Sequence, residues 1–365
     1  MDSLDQAARE LARAVDGVDW DAREVQRAVD GLHAHLPPVA GAAEVDRALG
    51  VLVERLARWR PEDADATAHV AMAAGVLVEA GAPPRRLGEV LLATLPEVLR
   101  AARRYADRCL AAPSAAGAGG EADVVLVAVD GHAIRRETFR AHLADDRPGA
   151  CCLVDLRTWV LSAVAALTRD RELLRRATAD AELTAAAAAL HDSPAHWLDL
   201  LLGVRLDEPW LVLCPVAGRG FRVRLDGVAD NRTLQVLLAD ELVTRGVPGT
   251  ANPPDVVAFC RGGAPWPATS AVLGSWNLYD YRAAPYDLAV PGAVPTATWV
   301  WGEGRPTDVP ALDGVRTLLV GPQQPWRSWR VGRPFAALRS TVTVEAELSP
   351  AETWTALERA RAAAG

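Results

Sequence analysis

Apolar residues recur at helical spacing through the first third of the chain. Val25, Val29, Leu32 and Leu36 form one stripe, opened by Asp19 or Asp21. Val45, Leu49, Leu52, Val53 and Leu56 form another, between about Ala42 and Trp59. Ser3 and Gln6 have the spacing of a capping box for a shorter first helix. Pro37-Pro38 stops the second helix and Pro61-Glu-Asp-Ala-Asp65 restarts the pattern. Gly81 with Pro83 and Pro84 ends that fourth helix, because glycine takes the left-handed C-cap and proline cannot continue. Two further helical segments flank Pro96 and finish near Leu110. No motif repeats among these pairs, so the pattern predicts a plain bundle.

The run AAPSAAGAGG at 111–120 is small, flexible and uncharged, and reads as a linker. Asp123 to Val129 is a short apolar run that fits either a strand or a buried helix start. Helical pattern returns from Arg135 to Gly203. Leu153–Leu167 and Glu172–Leu190 read as long helices, and Ser193 with Pro194 opens another.

At Glu208 the period changes. Trp210 to Val216 is continuously apolar, as in a strand buried on both faces. Ala217-Gly-Arg-Gly220 is a turn, and Phe221, Val223 and Leu225 then alternate with Arg222, Arg224 and Asp226. Asp230 is placed to cap a helix striped by Leu234, Leu237, Leu238 and Leu242. Further strands are expected at Val256–Phe259, Ser275–Tyr281, Thr298–Trp301, Val315–Val320 and Thr341–Leu348. Ser349-Pro-Ala-Glu352 is a capping box with proline at N1, so a final helix starts there. The expected fold class is α+β: an N-terminal all-helical bundle, then a C-terminal α+β region with a mainly antiparallel sheet. The expected domains are 1–111, a linker at 112–121, a helical region at 122–203 with a possible short strand at 123–129, and a Trp/Arg-rich domain at 204–365.

Composition sharpens this picture. All 39 basic residues are arginine. With the abundant alanine, that points to a GC-rich bacterial coding bias. The absence of lysine excludes a P-loop lysine, a kinase strand lysine and any Schiff-base lysine. A net charge of -8 without a basic stripe argues against nucleic acid as partner. No apolar run spans a bilayer, and the acidic start Met1-Asp-Ser-Leu-Asp does not read as a signal peptide. Five cysteines form no CxxC pair, so free buried thiols in a reducing, cytoplasmic setting are expected.

Three constellations bear on chemistry. Arg222 and Arg224 lie two apart on a strand and point the same way, so they can clamp a carboxylate or phosphate. A solvated face with cross-strand ion pairs is the plainer reading of the same residues. Trp326-Arg-Ser-Trp329-Arg330 interleaves flat apolar surface with planar donors. Trp276, Tyr279, Tyr281, Trp299 and Trp301 are candidates to line the same hollow, or else to fill the core. His191-Asp-Ser-Pro-Ala-His196 has poor spacing for a metal, and no zinc pattern, GxGxxG or GxSxG occurs.

The reading that follows is a peptide or small anionic ligand bound in a Trp/Arg-lined C-terminal cleft, without cofactor or metal. Arg222, Arg224, Trp326, Trp329 and Arg330 are its binding residues. A peptide- or metabolite-modifying reaction of specialised metabolism is compatible with it, with Asp230 or His196 as the acid–base group. The rival is a non-catalytic interaction or scaffold protein whose helical half docks a protein partner or a second copy.

Overall fold

The computed structural model describes residues 4–16, 21–36, 41–111, 124–129, 131–267, 271–323 and 327–365. The Ser3 cap, Pro37-Pro38, the linker at 112–121 and Trp326 lie outside them. The chain divides into two compact units, Met1–Leu202 and Gly203–Gly365.

The first unit is helical apart from one ribbon. Its helices are α1 (Leu4–Ala14), α2 (Ala22–Ala34), α3 (Ala42–Leu56), α4 (Ala64–Glu79), α5 (Arg85–Ala111), α6 (Arg136–His142), α7 (Arg147–Val154), α8 (Leu156–Leu167), α9 (Arg171–Ala179), α10 (Ala181–Ala188) and α11 (His196–Leu202). Strands β1 (Val124–Val129) and β2 (His132–Arg135) pair antiparallel, so the ambiguous apolar run is a strand. Asp21 opens α2 by accepting from Arg23 N. Helix α4 is buried almost all round, with Val70, Ala71, Ala74 and Leu77 in the core, and packs against α3 and α8.

Two helix boundaries differ from expectation. Helix α5 runs through Pro96 because Leu91, Leu95, Val98, Leu99 and Ala102 continue one buried stripe across it. Packing there outweighs the backbone bond that proline cannot donate. The stretch Glu172–Leu190 is two helices. Asp180 turns its carboxylate onto Glu182 N and Leu183 N, each at 3.0 Å, and so starts a new helix.

Among the described residues no single helix is long and apolar enough to cross a membrane. The apolar pair α7 and α8 bends by 54° at Asp155. Helix α8 buries Trp159, Val160 and Ala163 in the core.

The second unit is built on a six-stranded sheet. Its strands are β3 (Glu208–Cys214), β4 (Arg219–Asp226), β6 (Trp276–Asp280), β7 (Ala311–Leu312), β8 (Val315–Pro322) and β10 (Thr341–Glu347). The order is β10-β4-β3-β8-β6, with β7 beside β8. All pairings are antiparallel except β3 with β8. A separate ribbon joins β5 (Ala271–Leu273) to β9 (Ser328–Arg330). Helices α12 (Asn231–Val243) and α13 (Pro254–Arg261) lie over one sheet face, and α14 (Pro350–Ala364) lies over the other.

The run Val256–Phe259, expected as a strand, is the body of α13. Pro254 at the first position favours the helix start, and Val256, Val257, Phe259 and Cys260 all become buried at helical spacing. Thr298–Trp301 is likewise no strand. It is a 3₁₀ turn, Thr296–Thr298, followed by a single bridge from Trp299 to Tyr279.

Period-2 alternation sorts the sheet. Trp210, Val212, Phe221, Val223, Leu225, Leu318, Val320 and Val342 face α12 and α13. Leu211, Leu213, Leu319 and Tyr279 face Leu357 and Ala360 of α14. Gly218 closes the β3–β4 turn at φ 64°. Gly227 ends β4 at φ 68°, and a Cβ there collides with the Arg339 carbonyl.

The thiols are free, and burial pushes Cys152, Cys214 and Cys260 up to about 12. None is a thiolate at neutral pH.

Two outcomes follow. Gly227→Ala introduces both a left-handed alanine and a collision with backbone, and is expected to cost more than about 3 kcal/mol in chemical denaturation of the full chain. Burial pushes the Asp155 carboxyl up to about 6, with His69 pulling it down and Asp65 adding to the rise. The unfolded chain releases that proton near pH 4, so stability falls as pH rises from about 4 through 6. Asp155→Asn is therefore expected to stabilise the chain by roughly 2 kcal/mol at pH 7.5 and by little at pH 4, read from paired thermal melts.

Candidate functional site

Helix α14 leaves part of its sheet face uncovered, and a cleft of about 670 Å³ opens there. Its floor crosses β3 and β8 through Pro209, Leu211, Val315 and Thr317, with Arg222 of β4 beside it. Its wall is one side of α14: Ala351, Glu352, Thr355, Ala356 and Arg359, at spacings that share a helix face. That helix is held by the expected capping box, in which Glu352 accepts from Ser349 N at 2.9 Å and Ser349 Oγ accepts from Glu352 N at 3.2 Å.

Charge sits at the rim. Arg222 and Arg359 supply two positive groups; Asp313, Glu345 and Glu352 supply three negative ones. Arg359 is paired with Asp313. Backbone and side-chain hydrogen bonds from Ser349 hold the Glu352 carboxyl below the usual glutamate range, so it stays ionised. Arg222 reaches Glu352 only at 3.8 Å and keeps 62% of its side chain exposed. It is the rim cation with donors to spare.

Arg224 has the same orientation on β4 but a different occupation. Its Nε donates to Glu345 at 2.5 Å and its Nη1 donates to the Asp207 carbonyl at 2.8 Å. It ties β4 to β10 and to the entry of β3, so the expected pair of clamping arginines is one rim arginine and one strand tie.

The other candidate residues lie elsewhere. Trp329 and Arg330 are on β9, where Trp329 pairs with Val272 and packs half-buried against the core. Trp276 is buried and its indole donates to the Pro248 carbonyl at 2.7 Å. Asp230 caps α12, accepting from Thr233 N at 2.8 Å and Thr233 Oγ1 at 2.9 Å. Burial pushes its carboxyl above the ordinary range, opposed by those Thr233 bonds. The cavity beside it holds about 10 Å³, room for one water at most. His196 belongs to the first unit, where it is exposed and meets Trp197 edge-on at 5.8 Å. His191 contacts Asp192 at 2.9 Å, and no cluster of metal ligands occurs among the described residues.

The wall residues Thr355 and Arg359 went unmarked in the sequence, and Glu352 was marked only as a cap, because nothing local ties α14 to β3 and β4, more than a hundred residues earlier. The capping box at Ser349 was the available signal: it fixes where that helix begins and hence which side it turns inward. No family model, curated protein or solved structure matches the chain.

Arg224→Ala is expected to lower the urea midpoint of the full chain, because it opens contacts to two neighbouring strands. Arg222→Ala is expected to leave that midpoint where it is. Equal shifts for the two variants contradict the separation of roles.

Proposed function

We propose that the C-terminal unit binds a short peptide, or a small amphiphile carrying both charges, in the cleft between the sheet and α14. One observation carries the reading: an apolar floor enclosed by a rim of both signs. A volume near 670 Å³ lies within the range of small-molecule sites. The rim sums to one negative charge, and one of its arginines is already paired, so a lone anion gains little there. A ligand with an ammonium and a carboxylate at its ends and an apolar middle meets every wall. In this reading Arg222 takes the carboxylate, and Glu345 and Glu352 the ammonium. No reaction is assigned to the cleft.

Docking through the helical unit is the second reading. It draws support from Val154, Leu161 and Trp197, which are exposed on α7, α8 and α11. The cleft is preferred because it offers concavity and matched charge together.

Titration of the full chain with trileucine is expected to show saturable binding. The N-acetylated, C-amidated form is expected to bind at least tenfold more weakly, a difference of about 1.4 kcal/mol. Thr355→Trp, which fills the cleft, is expected to abolish binding. No binding by either form, or equal binding in the filled variant, defeats the reading.

A further inference from the structure

Arg327 occupies an unusual position in the C-terminal unit. Trp299 and Trp301 lie with ring centroids 5.2 Å apart and planes within 24°. The Arg327 guanidinium carbon is 4.6 Å from each centroid. Tyr279 closes edge-on against Trp299 at 5.4 Å. The Arg327 main chain is fixed too: Gly274 N and the Gln323 amide donate to its carbonyl at 3.0 and 3.2 Å.

Such a group is preorganised. The ring faces attract the cation and fix the plane of its fork. Among the described residues, however, the guanidinium donates no hydrogen bond and pairs with no carboxylate. Arg219, Arg224, Arg232, Arg282 and Arg316 all have such partners. Arg330 and Arg339 also make no side-chain bond among the described residues, but both are exposed to solvent. Arg327 is half-buried, and burial pushes its pKa below the ordinary arginine value. Holding a partly desolvated cation without a bonded partner is costly unless a ligand completes it.

The local charge allows one. Glu303 is the nearby acid that acts on Arg327, and its carboxylate is taken by Arg232 at 2.7 Å. Arg232, Glu303 and Arg327 together leave one positive charge. That matches a monoanion better than a phosphate dianion, and a planar fork suits a planar carboxylate. Trp301 is 44% exposed, so apolar ring surface reaches solvent beside the donors.

We propose that Arg327, set on Trp299 and Trp301, recognises a carboxylate borne by a flat apolar group, either an aromatic acid or the C-terminus of a chain ending in an aromatic residue. The site does not depend on the cleft beneath α14.

The test uses tryptophan fluorescence of the full chain titrated with sodium benzoate, N-acetylphenylalanine and inorganic phosphate. Benzoate is expected to bind saturably. Arg327→Gln is expected to weaken it at least tenfold, while Arg330→Gln and the cleft-filling Thr355→Trp leave it unchanged. Glu303→Gln is expected to tighten it several-fold. Tighter binding of N-acetylphenylalanine than of benzoate supports a chain terminus as the source, and the reverse order supports a small acid. Arg327→Lys keeps the charge without the fork, and is expected to keep the circular dichroism spectrum and bind at intermediate strength. Benzoate affinity that Arg327→Gln does not change, or phosphate that competes as well as benzoate, overturns the proposal. Loss of benzoate binding in Thr355→Trp assigns it to the cleft and also overturns it.

Discussion

Side-chain alternation along β4 is the constraint on which the C-terminal unit depends. Phe221, Val223 and Leu225 go to the core, which sends Arg222, Arg224 and Asp226 to the other face. A slip of one residue exchanges the two sets and buries three charges. Register is therefore fixed from both sides. Strand β3 pairs without interruption from Glu208 to Cys214, and β10 pairs from Thr341 onward with an irregularity between Val344 and Ala346. Gly227 anchors the far end, donating to the Arg205 carbonyl and accepting from Ser340 Oγ. The charged face of the cleft is thus a by-product of how the apolar face packs.

Cations in this chain are all arginine, and their forks are used mainly as structural ties. Arg219 grips Glu347 with two bonds, Arg282 grips Asp280, and Arg316 joins Glu208 to the Thr307 carbonyl. Planar, delocalised cations suit such bidentate roles, where an ammonium offers a point charge only. Against that pattern, an arginine with donors left over is informative. Arg222 stands at the rim of a cleft, and Arg327 rests on two indoles.

Local chemistry was legible in the sequence. Asp21, Asp230 and Ser349 each cap the helix expected of them, because a cap needs only residues within one turn. The β3–β4 hairpin was legible for the same reason. Short apolar runs were not: Val256–Phe259 reads equally as strand or helix, and only burial against α12 decides. Asp180 shows how one carboxylate divides a pattern that propensity alone would run together. The cleft was half legible. Arg222 was named from alternation, but its opposing wall comes from residues far along the chain. The tryptophans were harder to place. Their number signals a purpose without saying which: Trp210 and Trp276 fill core, whereas Trp299 and Trp301 carry a cation.

The sheet order has a consequence for how the C-terminal unit comes into being. Strand β3 must wait for β8, and β4 must wait for β10, each more than a hundred residues downstream. Only the β3–β4 hairpin and the short β7–β8 turn can form from neighbouring sequence. Contacts this distant make folding slow, since a long loop must close before any pairing rewards it. On the ribosome, the exposed edges of the β3–β4 hairpin stay open until β8 and β10 have emerged. The wall of the cleft follows β10 in sequence, so a nascent chain forms that hollow only after the strands of its sheet have been made.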